Sequence, residues 1–389
     1  MRTMQCLENV FATSPPKRRL RRMIPALLAA GTVALGASLT PLTVGSALAQ
    51  PPTPIYLDTN YSFSLRAADL VSRMTTAEKV LQFRAERQYQ SGIAPGIPRL
   101  GVDAYNYWNE AMHGVAHAGR VNGNVNLFNR GGYATEFPSP IAMGASWNRD
   151  LIRYAGSIVS DEGRAMSQND NTGHGDGNYV PHKGLTYWTP TINMARDPRW
   201  GRSEESYSED PYLTAEIAGQ YVNGLQGDDP KYLKVAATPK HYLANDSENN
   251  RRWGTSNLTE QSLREYYTPA FADLLGPKYK SRSVMTAYNS IAVENAPASL
   301  DIEGLPNNSE AQGVPMSASR YSLETLARRT WGFQGAVVSD CGAVGDVYNS
   351  HRWIAPGTTT GIAQTEAAAW TLKAGLDLVC SGGEYANPA

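Results

Sequence analysis

Asp340 closes the stretch "GFQGAVVSD", in which a run of small and apolar residues, Gly335 to Val338, leads through Ser339 into a carboxylate. Such a run suits a strand buried on both faces. An Asp at its end either caps the next helix or is a functional group. Four further residues bear on that choice. Lys240 and His241 stand in "ATPKHYLAND", directly after another small, apolar run. A Lys there is costly to bury unless it is paired, so a carboxylate or a ligand should face it. Arg202 follows Trp200 and Gly201 inside the charge-dense stretch "RDPRWGRSEESYSEDP", and a guanidinium fork beside an indole suits a hydroxyl-rich ligand. Glu110 follows aromatics in "YWNEAMHG". His113 and His117 share the i,i+4 spacing of a metal pair, but no H-E-x-x-H or third ligand accompanies them, and no metal is expected. No G-x-S-x-G elbow supports Ser339 as a nucleophile.

These residues need elements to bring them together. Short strand candidates at Val102–Trp108, Leu185–Thr189, Val235–Thr238, Ser283–Tyr288, Ala336–Ser339 and Leu376–Val379 alternate with helix-like segments. The helical stretches are Arg149–Arg164, Leu213–Leu225, Glu260–Leu275, Ser322–Thr330 and Glu366–Ala374. Leu65 to Phe83 also reads as helical, with Thr75 or Thr76 placed to cap a second segment before Glu78. Alternation of this kind predicts a parallel α/β fold, either a (β/α)8 barrel or a doubly wound sheet. Glu110, Lys240, His241, Tyr288 and Asp340 all fall at or just past the C-terminal ends of strand candidates. A barrel gathers those ends around one pocket, whereas an open sheet spreads them, so the barrel is the expected fold. Neither a G-x-G-x-x-G turn nor a Walker-type loop is present, and no cofactor is expected.

The chain has 389 residues and opens on material to set aside. A basic segment, Lys17 to Arg22, precedes the uncharged stretch Met23 to Ala47, and Ala47-Leu48-Ala49 has the small-x-small form of a secretory cleavage site. Pro25, Pro41 and the glycines favour cleavage over a lasting membrane span. The expectation is a signal peptide over 1–49, an extended lead-in over 50–64 and the barrel over 65–389, in a secreted or periplasmic protein. Taking six of the 35 Lys+Arg and one of the 36 Asp+Glu with the presequence leaves 29 against 35, a balance of −6. No basic stripe remains, so nucleic acid is not an expected partner. The 21 Tyr and 8 Trp against 7 Phe favour aromatics that can stack on sugar faces while bonding hydroxyls. Cys6 leaves with the presequence; Cys341 and Cys380 remain, as a disulfide or as two buried thiols.

Taken together, "WNEAMHG", "TYWTPTINMARDPRWGRSEESYSEDP", "ATPKHYLAND", "VMTAYNS", "GFQGAVVSDCGAV" and "AGLDLVC" resemble glycoside hydrolase family 3, in its β-xylosidase-like branch. The six occur in the family's order across about residues 65 to 380. The resemblance implies an exo-acting retaining β-glycosidase on a (β/α)8-like barrel, with an oligosaccharide as substrate. It makes Asp340 the nucleophile, gives Arg202, Lys240 and His241 the hydroxyls of the −1 sugar, and sets Tyr288 beside the nucleophile. Glu110 stands where glucose-specific relatives have Asp. Its longer side chain would enter the space of a glucose hydroxymethyl, which xylose lacks. Cys341 also matches xylosidase-like members, and a Cys341–Cys380 disulfide at the barrel rim is geometrically reasonable. The function implied is release of β-D-xylose from xylo-oligosaccharides through a glycosyl-aspartate. β-Glucosidase or α-L-arabinofuranosidase activity is the alternative, and a non-catalytic sugar-binding remnant is the alternative of another class.

A retaining mechanism needs a second carboxyl about 5–5.5 Å from the nucleophile. Lys240 and Arg202 are expected to keep Asp340 ionised. The resemblance implies an α/β sandwich domain after the barrel that often donates the acid/base, and the chain stops at Ala389. The expectation is therefore a barrel truncated after its last strand, with its acid/base absent. Asp246, in the loop where some relatives carry a His–Asp pair, has no second His beside it. His174-Gly175-Asp176 is a weak substitute, and Glu204, Glu205 and Glu248 are fallback acids.

Overall fold

A computed structural model describes residues 53–83, 93–116, 119–121, 124–126, 134–169, 184–294 and 313–380. Residues 1–49, expected as a signal peptide, together with His117 and His174-Gly175-Asp176, lie outside the described residues. After a 3-10 turn at Ile55–Leu57 come helices α1 (Phe63–Arg73) and α2 (Thr76–Gln82). They were expected as a single run with an internal cap, and the cap divides them. Thr75 accepts from the Glu78 N–H while the Glu78 carboxylate accepts from the Thr75 N–H, a reciprocal capping box that starts a new helix.

The fold is organised by β1 (Tyr105–Asn106), β2 (Thr186–Tyr187), β3 (Ala236–Ala237), β4 (Ser283–Thr286) and β5 (Ala336–Ser339). β2 pairs in parallel with β3, and β4 with β5 in the register Ala336↔Ser283 to Ser339↔Thr286. Parallel bridges join the rest: Asn109↔Tyr187, Thr191↔Lys240, Tyr242↔Thr286 and Val338↔Leu378. Six chain segments thus lie side by side, in sequence order and all parallel. The strand expected over Leu376–Val379 is reduced to bridge residues at Leu378 and Val379.

Curvature follows from packing. In a flat sheet the first and sixth segments would lie roughly 24 Å apart, at about 4.8 Å per strand. Instead Tyr107 and Trp108, after β1, pack in one cluster with Trp188, Met285, Val338 and Leu378. The Val379 N–H also bonds the Phe83 carbonyl at 2.9 Å, tying the last segment to the chain after α2. The segments therefore curl round a shared apolar interior, as in a TIM-like barrel.

Helices cover the outside. α3 (Arg149–Asn169) lies against α4 (Pro211–Gln226), and glycine permits the approach: a Cβ on Gly156 would sit 2.6 Å from the Tyr221 carbonyl oxygen. Asp210 caps α4 by accepting from Leu213 N–H, with Pro211 in the first turn. The helix expected over Glu260–Leu275 is broken into an α turn, a π-type segment at Leu263–Tyr267 and α5 (Pro269–Leu275), because Pro269 has no N–H to continue the ladder. Tyr321–Thr330 is likewise π-type. α6 (Ala343–Asn349) and α7 (Gln364–Ala374) follow β5.

A three-stranded sheet has no counterpart in the sequence reading. Thr255–Thr259 pairs in parallel with Ser290–Glu294, which pairs antiparallel with Val314–Pro315. The strand T-S-N-L-T is too polar for its pattern to show. Among the described residues no helix is long and apolar enough to cross a membrane.

Candidate active site

The polar residues at the strand ends meet. Asp340 lies one residue beyond β5, its N–H bonded to the Thr286 carbonyl of β4 at 3.1 Å. Its side chain is 13% exposed. Oδ1 accepts the Cys341 N–H at 2.7 Å, and Oδ2 faces His241 Nε2 at 3.6 Å. The Tyr288 hydroxyl lies beside the same carboxylate and donates to the Cys341 carbonyl at 2.8 Å. A disulfide joins Cys341 to Cys380, so the residue that contacts both Asp340 and Tyr288 is tied to the segment after Leu378.

Lys240 is buried, and the carboxylate that its burial demands is Glu110, whose Oε2 accepts from Nζ at 3.1 Å. Glu110 Oε1 also accepts from Trp108 Nε1 at 3.1 Å, and that indole stacks on Trp188 with centroids 5.5 Å apart. Arg202 grips Glu205 with two charge-assisted bonds of 2.7 and 2.6 Å and directs Nη1 at His241 Nε2, 3.2 Å away.

His241 is fixed by a residue the sequence reading passed over. Asn193 Nδ2 donates to the His241 carbonyl, while its Oδ1 accepts the His241 backbone N–H at 2.8 Å and lies 3.1 Å from Nδ1. With Nδ1 carrying the proton, Nε2 is left as an acceptor for Arg202. Burial, assisted by Arg202, Lys240 and Arg251, pushes the imidazole well below its ordinary value. The short approach to Asp340 is therefore a contact between a neutral ring and a carboxyl, not an ion pair.

Asp340 itself is shifted upward. Burial exceeds the opposing pull of the Cys341 N–H, Lys240, Tyr288 and Arg202. The cations act in the expected direction, but desolvation outweighs them. Tyr288 is raised too, chiefly by burial.

Two of the three fallback carboxylates have other partners. Glu205 is held by Arg202, and Glu248 accepts from Trp200 Nε1 at 3.3 Å and pairs with Arg251 at 2.8 Å; Glu204 is exposed. Arg251 and Arg252 cover the Tyr288 ring at 4.7 and 4.5 Å. Their signal was the pair in "NNRRWG", which reads as solvated charge until the fold places it. His113 stands 4.0 Å from Glu136, and among the described residues no group of three or more His, Cys, Asp or Glu is arranged to hold a metal.

A buried carboxylate ringed by a Lys, an Arg, a neutral His and a Tyr at parallel strand ends is a site for polarising hydroxyl-rich ligands. The model of the glycosyl hydrolase family 3 N terminal domain matches residues 114–387. The chain belongs to glycosyl hydrolase family 3. It is 38% identical over 336 residues to an exo-1,4-β-xylosidase of Emericella nidulans, covering 83% of this chain and 37% of that one. It is 37% identical over 301 residues to a xylan 1,4-β-xylosidase of Xylanibacter ruminicola, covering 76% and 30%. Among solved structures, a family 3 exo-β-xylosidase in complex with a xylobiose aziridine activity-based probe aligns with a TM-score of 0.66 at 35% identity, over 86% of this chain and 38% of that one. β-Glucosidase 3B from Thermotoga neapolitana aligns with a TM-score of 0.59 at 26% identity, over 82% and 37%. The chain spans about 37% of the length of the E. nidulans relative. These likenesses agree with the TIM-barrel-like α/β domain of this family 3 chain.

Proposed function

We propose that this barrel carries the glycone site and the nucleophile of an exo-acting retaining β-glycosidase that releases β-D-xylose from xylo-oligosaccharides. One observation carries the reading: Asp340 is buried at the C-terminal end of β5, its Oδ1 oriented by the Cys341 N–H, with His241 Nε2 3.6 Å from its Oδ2. In the first step Asp340 attacks the anomeric carbon, the glycosidic C–O bond breaks, and the leaving oxygen takes a proton from a carboxylic acid. Water then cleaves the glycosyl ester with the same acid acting as base. We assign that acid/base to a carboxyl outside the described residues, because Glu205 and Glu248 are engaged by guanidinium groups.

The upward shift of Asp340 comes from burial, which a site that encloses a sugar requires. Burial makes the free carboxylate reactive, while the Cys341 N–H and the Lys240 and Arg202 charges favour its ionised form. Lys240 and Glu110 together offer a donor and an acceptor to neighbouring hydroxyls. Glu110 selects pentose by filling the space of a hydroxymethyl group, and the names of the xylosidase relatives agree with that choice. In this reading residues 1–49 are an export signal, 50–64 a lead-in and 65–389 the barrel, and the protein acts outside the cytoplasm.

The test uses dinitrophenyl 2-deoxy-2-fluoro-β-xyloside and its glucoside counterpart, whose leaving group departs without acid assistance. Peptide mass spectrometry should find a fluoroxylosyl adduct on the peptide that contains Asp340. Labelling by the glucoside alone would make the chain a β-glucosidase. A folded protein labelled by neither sugar would leave it a non-catalytic sugar-binding barrel.

A further inference from the structure

The charged side chains around Asp340 differ in exposure. Those assigned to the first sugar are enclosed: the His241 side chain is 3% exposed, Lys240 7% and Arg202 20%. The Arg252 side chain is 46% exposed, the most open of the set, and it is held in place. Its Nη1 donates to Asp346 Oδ2 at 3.0 Å. Asp346, in the first turn of α6, is buried, and its Oδ1 accepts from Ser350 Oγ at 2.6 Å. The Arg252 guanidinium lies 4.5 Å from the centre of the Tyr288 ring. Its Nη1 is 3.6 Å from where a Cβ on Gly342 would be, two residues past the nucleophile. Arg251 shares the Tyr288 ring, but its side chain is 27% exposed, pairs with Glu248, and lines a cavity with Asn245 and Asp246.

An exo-acting site closes round one terminal sugar, so the bond to the next sugar lies at its open side. A residue that meets the next sugar must be both close to the nucleophile and exposed, and Arg252 is both. Among the described residues Nε and Nη2 of Arg252 have no hydrogen-bond partner, and a guanidinium only donates. The occupant must therefore bring acceptors. Asp346 already neutralises the charge of Arg252, so the hydroxyl and ring oxygens of a neutral sugar suit this fork better than an anion does. The anchor matters for a second reason: a fork held by a buried carboxylate loses little side-chain freedom when it binds.

We propose that Arg252 is a specificity residue for the leaving side: it binds the second sugar of the oligosaccharide, with Asp346 as the residue that positions it. This deepens the proposed function and rests on it for which sugar departs. Arg252 then distinguishes an oligosaccharide from its free terminal sugar, a distinction that Lys240, His241 and Arg202 cannot make because they meet only the first ring.

The test is calorimetric titration of xylose and xylobiose into the full chain carrying Asp340→Asn, which leaves xylobiose intact. Xylobiose should bind at least about tenfold tighter than xylose, the scale of one hydrogen bond to a charged group. Adding Arg252→Met should remove most of that advantage and leave xylose binding unchanged. Asp346→Asn, which touches no sugar, should remove part of it. Arg252→Met leaves Asp346 without its cation; if that variant does not fold, Arg252→Met combined with Asp346→Asn removes both charges and keeps the test valid. The proposal is overturned if neither sugar binds or if xylobiose binds no tighter than xylose. It is overturned as well if the advantage survives Arg252→Met, or if both sugars weaken together. Failure of the glycosidase reading looks different: Asp340 of the parent chain goes unlabelled by the fluoroxyloside, while Arg252 still separates xylobiose from xylose.

Discussion

Two polar regions meet at Arg251, and they treat buried charge in opposite ways. On the Tyr288 side three ion pairs surround Asp340: Lys240 has Glu110, Arg202 has Glu205, and Glu248 has Arg251. On the Asp246 side both amide atoms of Asn245, Asp246 Oδ1 and Asn289 Oδ1 are buried with no hydrogen-bond partner among the described residues. The difference is one of preorganisation. A network satisfied within the protein holds its shape before a ligand arrives, so a sugar must compete for bonds that already exist. A set of unpaired groups has no such rest state.

The sharpest way to break this comparison is Asp340→Asn. Loss of the nucleophile should abolish fluoroxyloside labelling and lower turnover at least ~10⁴-fold. The same change should make the protein more stable at neutral pH. Burial raises the folded-state value of Asp340 above its unfolded value near 3.9, so the folded chain binds the proton more tightly. Ionisation therefore penalises the fold above that range, and Asn cannot ionise. The gain should fade as pH falls through the ordinary carboxylate range. Thermal unfolding at pH 7 and pH 3.5 measures both arms; a variant that melts lower at pH 7 would mean that the surrounding cations outweigh burial.

The disulfide is next in size. It closes a separation of 39 residues, worth about 4 kcal/mol in the chain-entropy account. Replacing both Cys341 and Cys380 by Ser should lower the urea midpoint accordingly. It should also slow labelling of Asp340, because Cys341 supplies the N–H that orients Oδ1 and the carbonyl that receives Tyr288. Labelling at the parent's rate would mean that the bond supports the whole barrel and not the Asp340 rim.

The asymmetry between the regions is also one of legibility. Asp340, Lys240, His241 and Tyr288 were readable because each ends an apolar run, and a charged group there is conspicuous. That a carboxylate or ligand should face Lys240 was readable from the cost of burying a Lys; that the carboxylate is Glu110 was not. The Asn193 clamp on His241 and the guanidinium cover of Tyr288 were not, since they depend on which loops the barrel brings together. The Asp246 side was even less so. Asn245 and Asp246 read as ordinary turn residues after a strand, and the polar strand Thr255–Thr259 that helps enclose them carries no periodic signal. Helix breaks divided the same way: the box at Thr75–Glu78 was visible, whereas the π-type segment at Leu263–Tyr267 was not.

Asp246→Asn sharpens the comparison from the unpaired side. The folded-state value of about 6 stands above the usual carboxylate range, so ionised Asp246 penalises the fold above pH 6. By the standard conversion the penalty is up to about 3 kcal/mol. The variant should be more stable than the parent at pH 7.5, with the advantage shrinking through pH 6 and gone near pH 4. Its smaller expected effect than that of the disulfide follows from Arg196, which already offsets part of the cost. Chemical denaturation across that pH range is the measurement, and a flat difference would show that solvent reaches Asp246.

The smallest effect belongs to Glu110→Asp, which leaves both charges in place and changes only reach. Removing one methylene withdraws the carboxylate by about 1.5 Å, a single carbon–carbon bond. The Lys240 contact, now 3.1 Å, and the Trp108 contact, also 3.1 Å, should both loosen. The vacated space should admit a hydroxymethyl group. One methylene at a specificity pocket is worth about 1–3 kcal/mol, so the ratio of fluoroglucoside to fluoroxyloside labelling rates should rise about tenfold or more. Xyloside labelling should fall modestly at the same time, because the donor–acceptor pair that grips neighbouring hydroxyls is less well set. If the ratio does not move, the choice of pentose is made away from Glu110. The satisfied side of Arg251 would then fix the nucleophile without choosing the sugar.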